Sequence, residues 1–180
     1  MDPYLPGAYI ELEHRLKDTR YWRHQVGYIS DLGFGGQIAV ENLSGIRLRT
    51  GLRKYRRSII PNADVQFWEV SLDYRYIDIL LTGDFWRDNF NFQQRLNYNL
   101  WQHSISLNYI YGFSAGISKR WRLDVGLGAG VRLNHRDYSD LPSDARFDTN
   151  GGLLWAYNSQ NGWEFALSVP VILSLGMAIY

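Results

Sequence analysis

Cysteine is absent from the 180 residues of the chain. This absence excludes disulfides, thiol catalysis and thiolate metal sites. The sequence also has no run of about 18 apolar residues, so it predicts no transmembrane helix. Its first residues, MDPYLPG, have neither the basic start nor the apolar stretch of a signal peptide, and no cleaved leader is predicted.

Lysine is scarce, and the net charge is small. Of the 19 basic residues, 3 are lysine and 16 are arginine. Soluble proteins normally use Lys and Glu to solvate their surfaces, whereas Arg suits partly buried ion pairs. A net charge of +1 gives no electrostatic basis for nucleic-acid binding, which is therefore not predicted.

Helical periodicity is also missing, and apolar residues alternate with polar ones almost throughout, which predicts an all-β chain. The clearest stretch is Trp121 to His135, WRLDVGLGAGVRLNH, where the odd positions are apolar up to Leu133 and the even ones are mostly Arg, Asp and Gly. When the chain is folded at 118–120, this stretch matches its apolar positions with those from Ile105 to Ile117. The two segments are predicted to form a hairpin.

The alternation divides the chain into about eleven segments. The other predicted turns lie at 18–20, 43–45, 77–78, 87–88, 101–102 and 159–162, with a longer loop at 58–64. Because membrane barrels of one bacterial chain have an even number of strands, we predict a closed antiparallel up-and-down barrel of 10 or 12 strands, or 8 if short segments merge. Residues 1–180 form one predicted β-barrel domain, with a lead at 1–7 and the longest loop at 138–149.

The polar face of the predicted strands carries glycine, serine and charges of both signs, where a face in water would carry Lys, Glu and Thr. Glycine weakens a strand on a solvent face, but on a concave face it lets the sheet bend and leaves space. The predicted lumen or pore-lining residues are Arg47, Arg49, Arg53, Glu69, Asp73, Arg75, Arg95, Arg122, Asp124, Gly126, Gly128, Gly130 and Arg132. The apolar face is then predicted to contact lipid.

Tryptophan lies near the predicted turns, as expected of the aromatic girdles at the two membrane interfaces. The predicted girdle consists of Trp22, Trp86, Trp101, Trp121 and Trp163. With the alternation from residue 8 to 180 and the turn-strand stretch SKRWRLDVGLGAGV, the chain resembles the small OmpA-type outer-membrane β-barrels of Gram-negative bacteria, natural or engineered. The resemblance implies a monomeric, integral outer-membrane protein that folds in membrane lipid or detergent.

Two functions are open for such a barrel: a narrow water-filled pore for small ions or solutes, which we favour, and a closed structural barrel. Arg47, Arg49 and Arg53 share one face and would attract anions in a pore. In a closed barrel the same arginines would form a salt-bridge ladder with acids on neighbouring strands, namely Glu11, Glu13, Glu41, Glu69 and Asp73. The alternative class is a soluble lipocalin-like barrel that binds an apolar ligand inside.

The sequence gives only weak indications of metal binding or catalysis. Two histidine pairs are predicted across strands, His14 with His24 and His103 with His135, but no spacing supplies a third metal ligand. No nucleophile motif such as GxSxG is present, so an outer-membrane lipid hydrolase is a less favoured third class. We predict no catalytic residue, no metal and no cofactor.

Overall fold

The computed structural model describes residues 7–30, 39–57, 65–117, 121–139, 142, 144–147 and 161–177. These residues form nine strands and no helix that is long and apolar enough to cross a membrane. The strands are β1 Gly7–Lys17, β2 Arg20–Ser30, β3 Ala39–Arg57, β4 Val65–Arg87, β5 Phe92–Gly116, β6 Trp121–Ser139, β7 Arg146–Phe147, β8 Gly162–Ser168 and β9 Val171–Met177.

The strands form one antiparallel sheet in the order β1-β2-β3-β4-β5-β6-β8, with β9 also on β6 and β7 on β4. The predicted all-β, antiparallel, up-and-down architecture is confirmed, and the described sheet is an open half-barrel. β8 and β9 occupy one place in it, because Leu167 lies opposite Val131 and Val171 lies opposite Leu127 in the same register. They are separated at Pro170, which has no N–H for the ladder.

The β5–β6 hairpin has the predicted register. Ile105 lies opposite Leu133 and Ala115 lies opposite Leu123, so every intervening apolar pair matches. The N–H of Ile117 donates to the carbonyl of Trp121 at 2.9 Å, which closes the hairpin next to the predicted turn. The turn residues 118–120 themselves lie outside the described residues.

The β1–β2 hairpin turns at Asp18–Thr19 as predicted, but its register is shifted. His14 lies opposite Trp22, whereas the sequence predicts it opposite His24. The shift is two residues, because β2 begins at Arg20, directly after the two turn residues. A shift of two keeps every side chain on its predicted face.

Three predicted turns are wrong. Strands β3, β4 and β5 run without a break through residues 43–45, 77–78 and 101–102. The three sites lie in one row across the sheet, since Gly45 is opposite Ile77 and Ile77 is opposite Gln102. Because these segments merge, the described residues form fewer strands than the predicted 10 or 12.

The row Gly45–Ile77–Gln102 divides the sheet into a basal part, which ends at the Asp18–Thr19 turn, and a distal part, which ends at residues 88–91. In the basal part, the buried face of β4 carries Glu69 and Asp73. In the distal part, the same face of β4 carries Ile77 and Ile79. The polarity of the two faces is therefore reversed at this row, although the strand continues.

The distal end of the β4–β5 pair is a tight turn at the predicted position after Arg87. Asp88, Asn89 and Phe90 have positive φ angles of 48°, 54° and 72°. Asp144 accepts hydrogen bonds from Arg87 Nε at 2.8 Å and from the N–H of Asp88 at 3.2 Å. The hydrogen bond from Arg87 is the main cause that lowers the pKa of the Asp144 carboxyl.

The predicted loop at 138–149 is only partly a loop. β6 continues to Ser139, and β7 pairs with Phe85 and Trp86 of β4. The predicted loop at 58–64 and the first two residues of the predicted turn at 159–162 lie outside the described residues.

Candidate functional site

The basal part of the sheet has two faces of opposite chemistry. On the outer, convex face, Ile10 is 75% exposed and Leu127 is 60% exposed. On the inner, concave face, Arg53 and Glu69 are fully buried, at 0% and 1%. The period of two in a strand produces this separation directly. The inner face, with its buried charges, is the candidate functional site.

Glu69 on β4 is the centre of the inner face. Its Oε2 accepts from Arg53 Nε at 2.8 Å and from Arg23 Nη1 at 3.0 Å. Its Oε1 lies 2.9 Å from Arg49 Nη2. Strands β2 and β3 supply these three arginines, so one carboxylate is surrounded by cations from two strands.

The charged contacts extend across the concave side of the sheet. Arg53 on β3 lies 2.5 Å from Asp124 on β6, although β4 and β5 stand between these strands in the sheet. Arg122 on β6 reaches Glu13 on β1 at 3.2 Å. Such contacts between distant strands require strong curvature, with the charged face inside.

The network is balanced in charge. Its arginines are Arg23, Arg47, Arg49, Arg53 and Arg122, and its carboxylates are Glu11, Glu13, Glu69, Asp73 and Asp124. A buried charge is very costly unless it is paired and hydrogen-bonded. The pairing matches the salt-bridge interpretation of the arginine cluster. The side chain of Glu41, which the sequence adds to this ladder, lies outside the described part.

An apolar cluster of Tyr55, Phe67, Ile110 and Ile172 lies on the inner face near the basal end. A Cβ added at Gly112 would lie closer than 3.0 Å to Phe67 Cζ, and one at Gly126 would lie 3.3 Å from it. The ring of Phe67 therefore occupies the space that these glycines leave. The guanidinium of Arg53 lies over the Phe67 ring, 3.8 Å from its centroid.

A second apolar cluster covers the distal end of the inner face. Its buried members are Ile29, Leu43, Ile77, Ile79, Phe85, Tyr98, Leu100, Tyr138 and Ala145. The charged network lies on the basal side of this second cluster, and its members Arg53 and Arg122 contact the first cluster at Tyr55. Buried side chains thus occupy the distal end of the concave side, the surroundings of Glu69 and the surroundings of Phe67.

Most of the other predicted lumen residues also lie on the inner face. Arg132 is buried and donates to Ser168 at 3.1 Å. Gly128 and Gly130 lie against Ile110 and Asn108 on β5, and both glycines are partly exposed. Arg75 is half-buried on the inner side of β4.

Arg95 is the exception among the predicted lumen residues. It lies in the distal part of β5, where its side chain is 68% exposed and 3.5 Å from Asp84. The sequence predicts it inside because it belongs to the polar positions of the alternating pattern, and all polar positions are predicted to face the lumen. In the distal part, however, the polar half faces outward.

The predicted girdle tryptophans lie at different heights. Trp22 and Trp121 are exposed on the outer face near the basal end, and Trp163 is exposed where β8 begins. Trp101 is half-buried in the middle of β5, and Trp86 lies in the distal part, 6.1 Å from the Phe90 ring.

The histidine pairs lie on the outer face. His103 is directly opposite His135, as predicted, and its Nδ1 lies 2.9 Å from the Tyr74 hydroxyl. His14 and His24 are diagonal neighbours whose rings stack at 5.8 Å. Within the described ranges, no three His, Cys, Asp or Glu side chains are grouped as metal ligands.

Sequence reasoning missed two side chains that matter on the inner face, Tyr55 and Phe67. Tyr55 donates a hydrogen bond to Glu13 at 3.0 Å. The signal was available, because Phe67 continues the odd-numbered series of Glu69, Ser71 and Asp73. Comparison of the chain with protein-family models, curated proteins and solved structures gave no match.

Proposed function

We propose that this protein is an integral β-barrel of the outer-membrane type, closed around its charged inner face and acting as a structural barrel, not as an open pore. The observation that carries the proposal is the reversal of polarity at the row Gly45–Ile77–Gln102. A barrel in water throughout its length has no reason to reverse its faces. A barrel that extends beyond a lipid layer must change its outer face from apolar to polar, because that face passes from hydrocarbon to water.

The length of the apolar outer face fits a lipid layer. On β6 the outward positions from Leu123 to Leu133 are all apolar, a stretch of 11 residues. A tilted strand needs about 9–11 residues to span the hydrocarbon core. The exposed Leu107 and Tyr109 on β5 continue this surface beside it.

The side chains on the inner face support a closed barrel rather than the pore that the sequence alone favours. Phe67 fills the space at Gly112 and Gly126, and Arg53 bridges from Glu69 to Asp124. Barrels of about eight strands are wide enough only for their own side chains. In the closed barrel that we propose, we expect the inner charges to hold the strands together and to leave no continuous water path.

The edges of the half-barrel support closure. The hydroxyl of Tyr9 on β1 donates to the carbonyl oxygen of Leu173 on β9 at 3.4 Å. These residues belong to the two edge strands of the described sheet. A lipocalin-like barrel is less well supported, because its apolar side chains would line the inside, where this protein has its ion pairs.

Arginine substitutions on one strand test the membrane proposal. Leu107→Arg places a charge on the apolar outer face of β5, and Asn99→Arg is its matched control on the same face of β5, in the distal part. In a lipid layer, Leu107→Arg should lower the free energy of unfolding by about 2–4 kcal/mol. Asn99→Arg should change it by less than about 0.5 kcal/mol.

The measurement is urea unfolding of refolded protein in phosphocholine vesicles, followed by tryptophan fluorescence. Both positions point away from the inner face, so a barrel that stands in water would tolerate both arginines equally. Equal stabilities of the two variants, or a wild-type chain that stays monomeric at high concentration in buffer without detergent, would contradict the proposal.

A further inference from the structure

Charge is distributed unevenly between the two ends of the sheet. Arg15, Lys17, Arg20 and Arg56 are exposed at the basal end, and Lys54 is half-buried beside them. At the distal end the cations Arg87 and Arg95 each have a carboxylate partner: Arg87 pairs with Asp144, and Arg95 pairs with Asp84. The basal cations differ from these in having no such partner among the described residues.

Three of the basal cations are direct neighbours across strands. Lys17 on β1 lies opposite Arg20 on β2, and Arg20 lies opposite Lys54 on β3. Like charges that face each other across a sheet destabilise it. Among the described residues, no carboxylate oxygen lies within 4.0 Å of the charged nitrogens of these three side chains. The basic row Lys17–Arg20–Lys54 thus lacks the counter-charge that the distal cations have.

The basic row borders the apolar outer face. Arg20 lies two residues before Trp22 on β2, and Lys54 lies two residues after Leu52 on β3, so these side chains share one face. The Nζ of Lys54 lies 5.1 Å from the centroid of the Trp68 ring. Cations beside exposed tryptophan, at the edge of an apolar surface, stand at the height of lipid headgroups.

We propose that the basic row binds the phosphate groups of anionic phospholipids in the leaflet at the basal end. This inference rests on the proposed membrane function and names the lipid that the barrel selects. The chain leaves the distal end of β6 at Ser139 and enters β8 at Gly162, with only the two-residue β7 between them, whereas the connections at the basal end, 18–19, 58–64 and 118–120, are shorter. Long loops of outer-membrane barrels face outside, so the basal end faces the leaflet made of phospholipid. A lipid phosphate supplies the negative charge that the row lacks.

The experiment measures the relative association of brominated phosphatidylglycerol and brominated phosphatidylcholine with the refolded barrel, through quenching of tryptophan fluorescence. The wild-type chain should prefer phosphatidylglycerol. The double variant Arg20→Gln with Lys54→Gln should lose that preference, by up to about fivefold for each cation removed. The matched control is Arg87→Gln with Arg95→Gln, which removes two cations from the distal end and should retain the preference.

The outcomes separate this inference from the membrane proposal. Insertion into pure phosphatidylcholine vesicles tests the barrel alone and does not depend on the basic row. Two results would contradict lipid binding by the basic row and would leave the membrane proposal unaffected. One is insertion of the chain without a preference for phosphatidylglycerol, and the other is a basal double variant that keeps that preference. Loss of the preference in millimolar inorganic phosphate would identify a site for free phosphate, and would overturn the lipid assignment.

Discussion

At the scale of single residues, a few side chains decide what the inner face can do. Glu69 gathers three arginines from two strands, and Phe67 fills the space above two glycines. The alternation predicts that Glu69 and Gly126 share a face. Which partners they meet there depends on the curvature of the sheet, because Asp124 reaches Arg53 from three strands away.

Removal of the central carboxylate charge should unbalance the network. Glu69→Gln leaves Arg23, Arg49 and Arg53 close together without their shared counter-ion, and we expect a loss of about 3–5 kcal/mol in the free energy of unfolding. The control is Asp84→Asn, which affects an exposed ion pair with Arg95 and should cost less than about 1 kcal/mol. Urea unfolding in micelles measures both. Equal losses would mean that the inner network contributes no more than a surface pair.

The two glycine positions that Phe67 covers allow a sharper test. Gly112→Ala would force the ring and the Val125 carbonyl to move, and overpacking of this kind costs about 1–3 kcal/mol. At Gly176 the same substitution meets only the carbonyl oxygen of Arg122, at 3.9 Å, and should be tolerated. Thermal unfolding of the two alanine variants compares them directly. A Gly112→Ala variant as stable as the wild type would show that the space is not filled.

At the scale of strands, the sequence predicts the type of element well and the ends of the long strands poorly. A break in the alternation at 43–45, 77–78 and 101–102 has two possible causes: a turn, or a change of surroundings along one strand. Both place an apolar residue where a polar one is expected. Only the pairing of β3, β4 and β5 distinguishes them, because it aligns the three breaks in a single row.

The reversed polarity makes a prediction for the distal part of β5. Leu100 is completely buried in the distal apolar cluster, so Leu100→Ala should create a cavity and lower the free energy of unfolding by about 2–5 kcal/mol. Leu107→Ala, on the apolar outer face of the same strand, should cost less, since lipid or detergent can fill the space. Urea unfolding in micelles gives both values. The opposite order would contradict the assignment of the two environments.

At the scale of the whole molecule, a pore and a closed barrel differ in whether they conduct ions. Protein refolded into a planar bilayer should show no steady conductance steps, because two apolar clusters and the charged network occupy the concave side. Folding into the bilayer lipid is verified beforehand by heat-dependent migration on a gel. Discrete steps from wild-type protein would favour the pore, and Phe67→Ala is the variant in which a path would open first.

The sequence by itself determined the class of fold and the face of most residues, because a period of two is a local property that survives a register shift of two residues. It placed the β5–β6 pairing correctly for the same reason. The tertiary structure alone decided the strand boundaries, the partners of the inner charges and the filling of the glycine positions. These depend on curvature and on the surroundings of each part of a strand, which the sequence encodes only through contacts between distant residues.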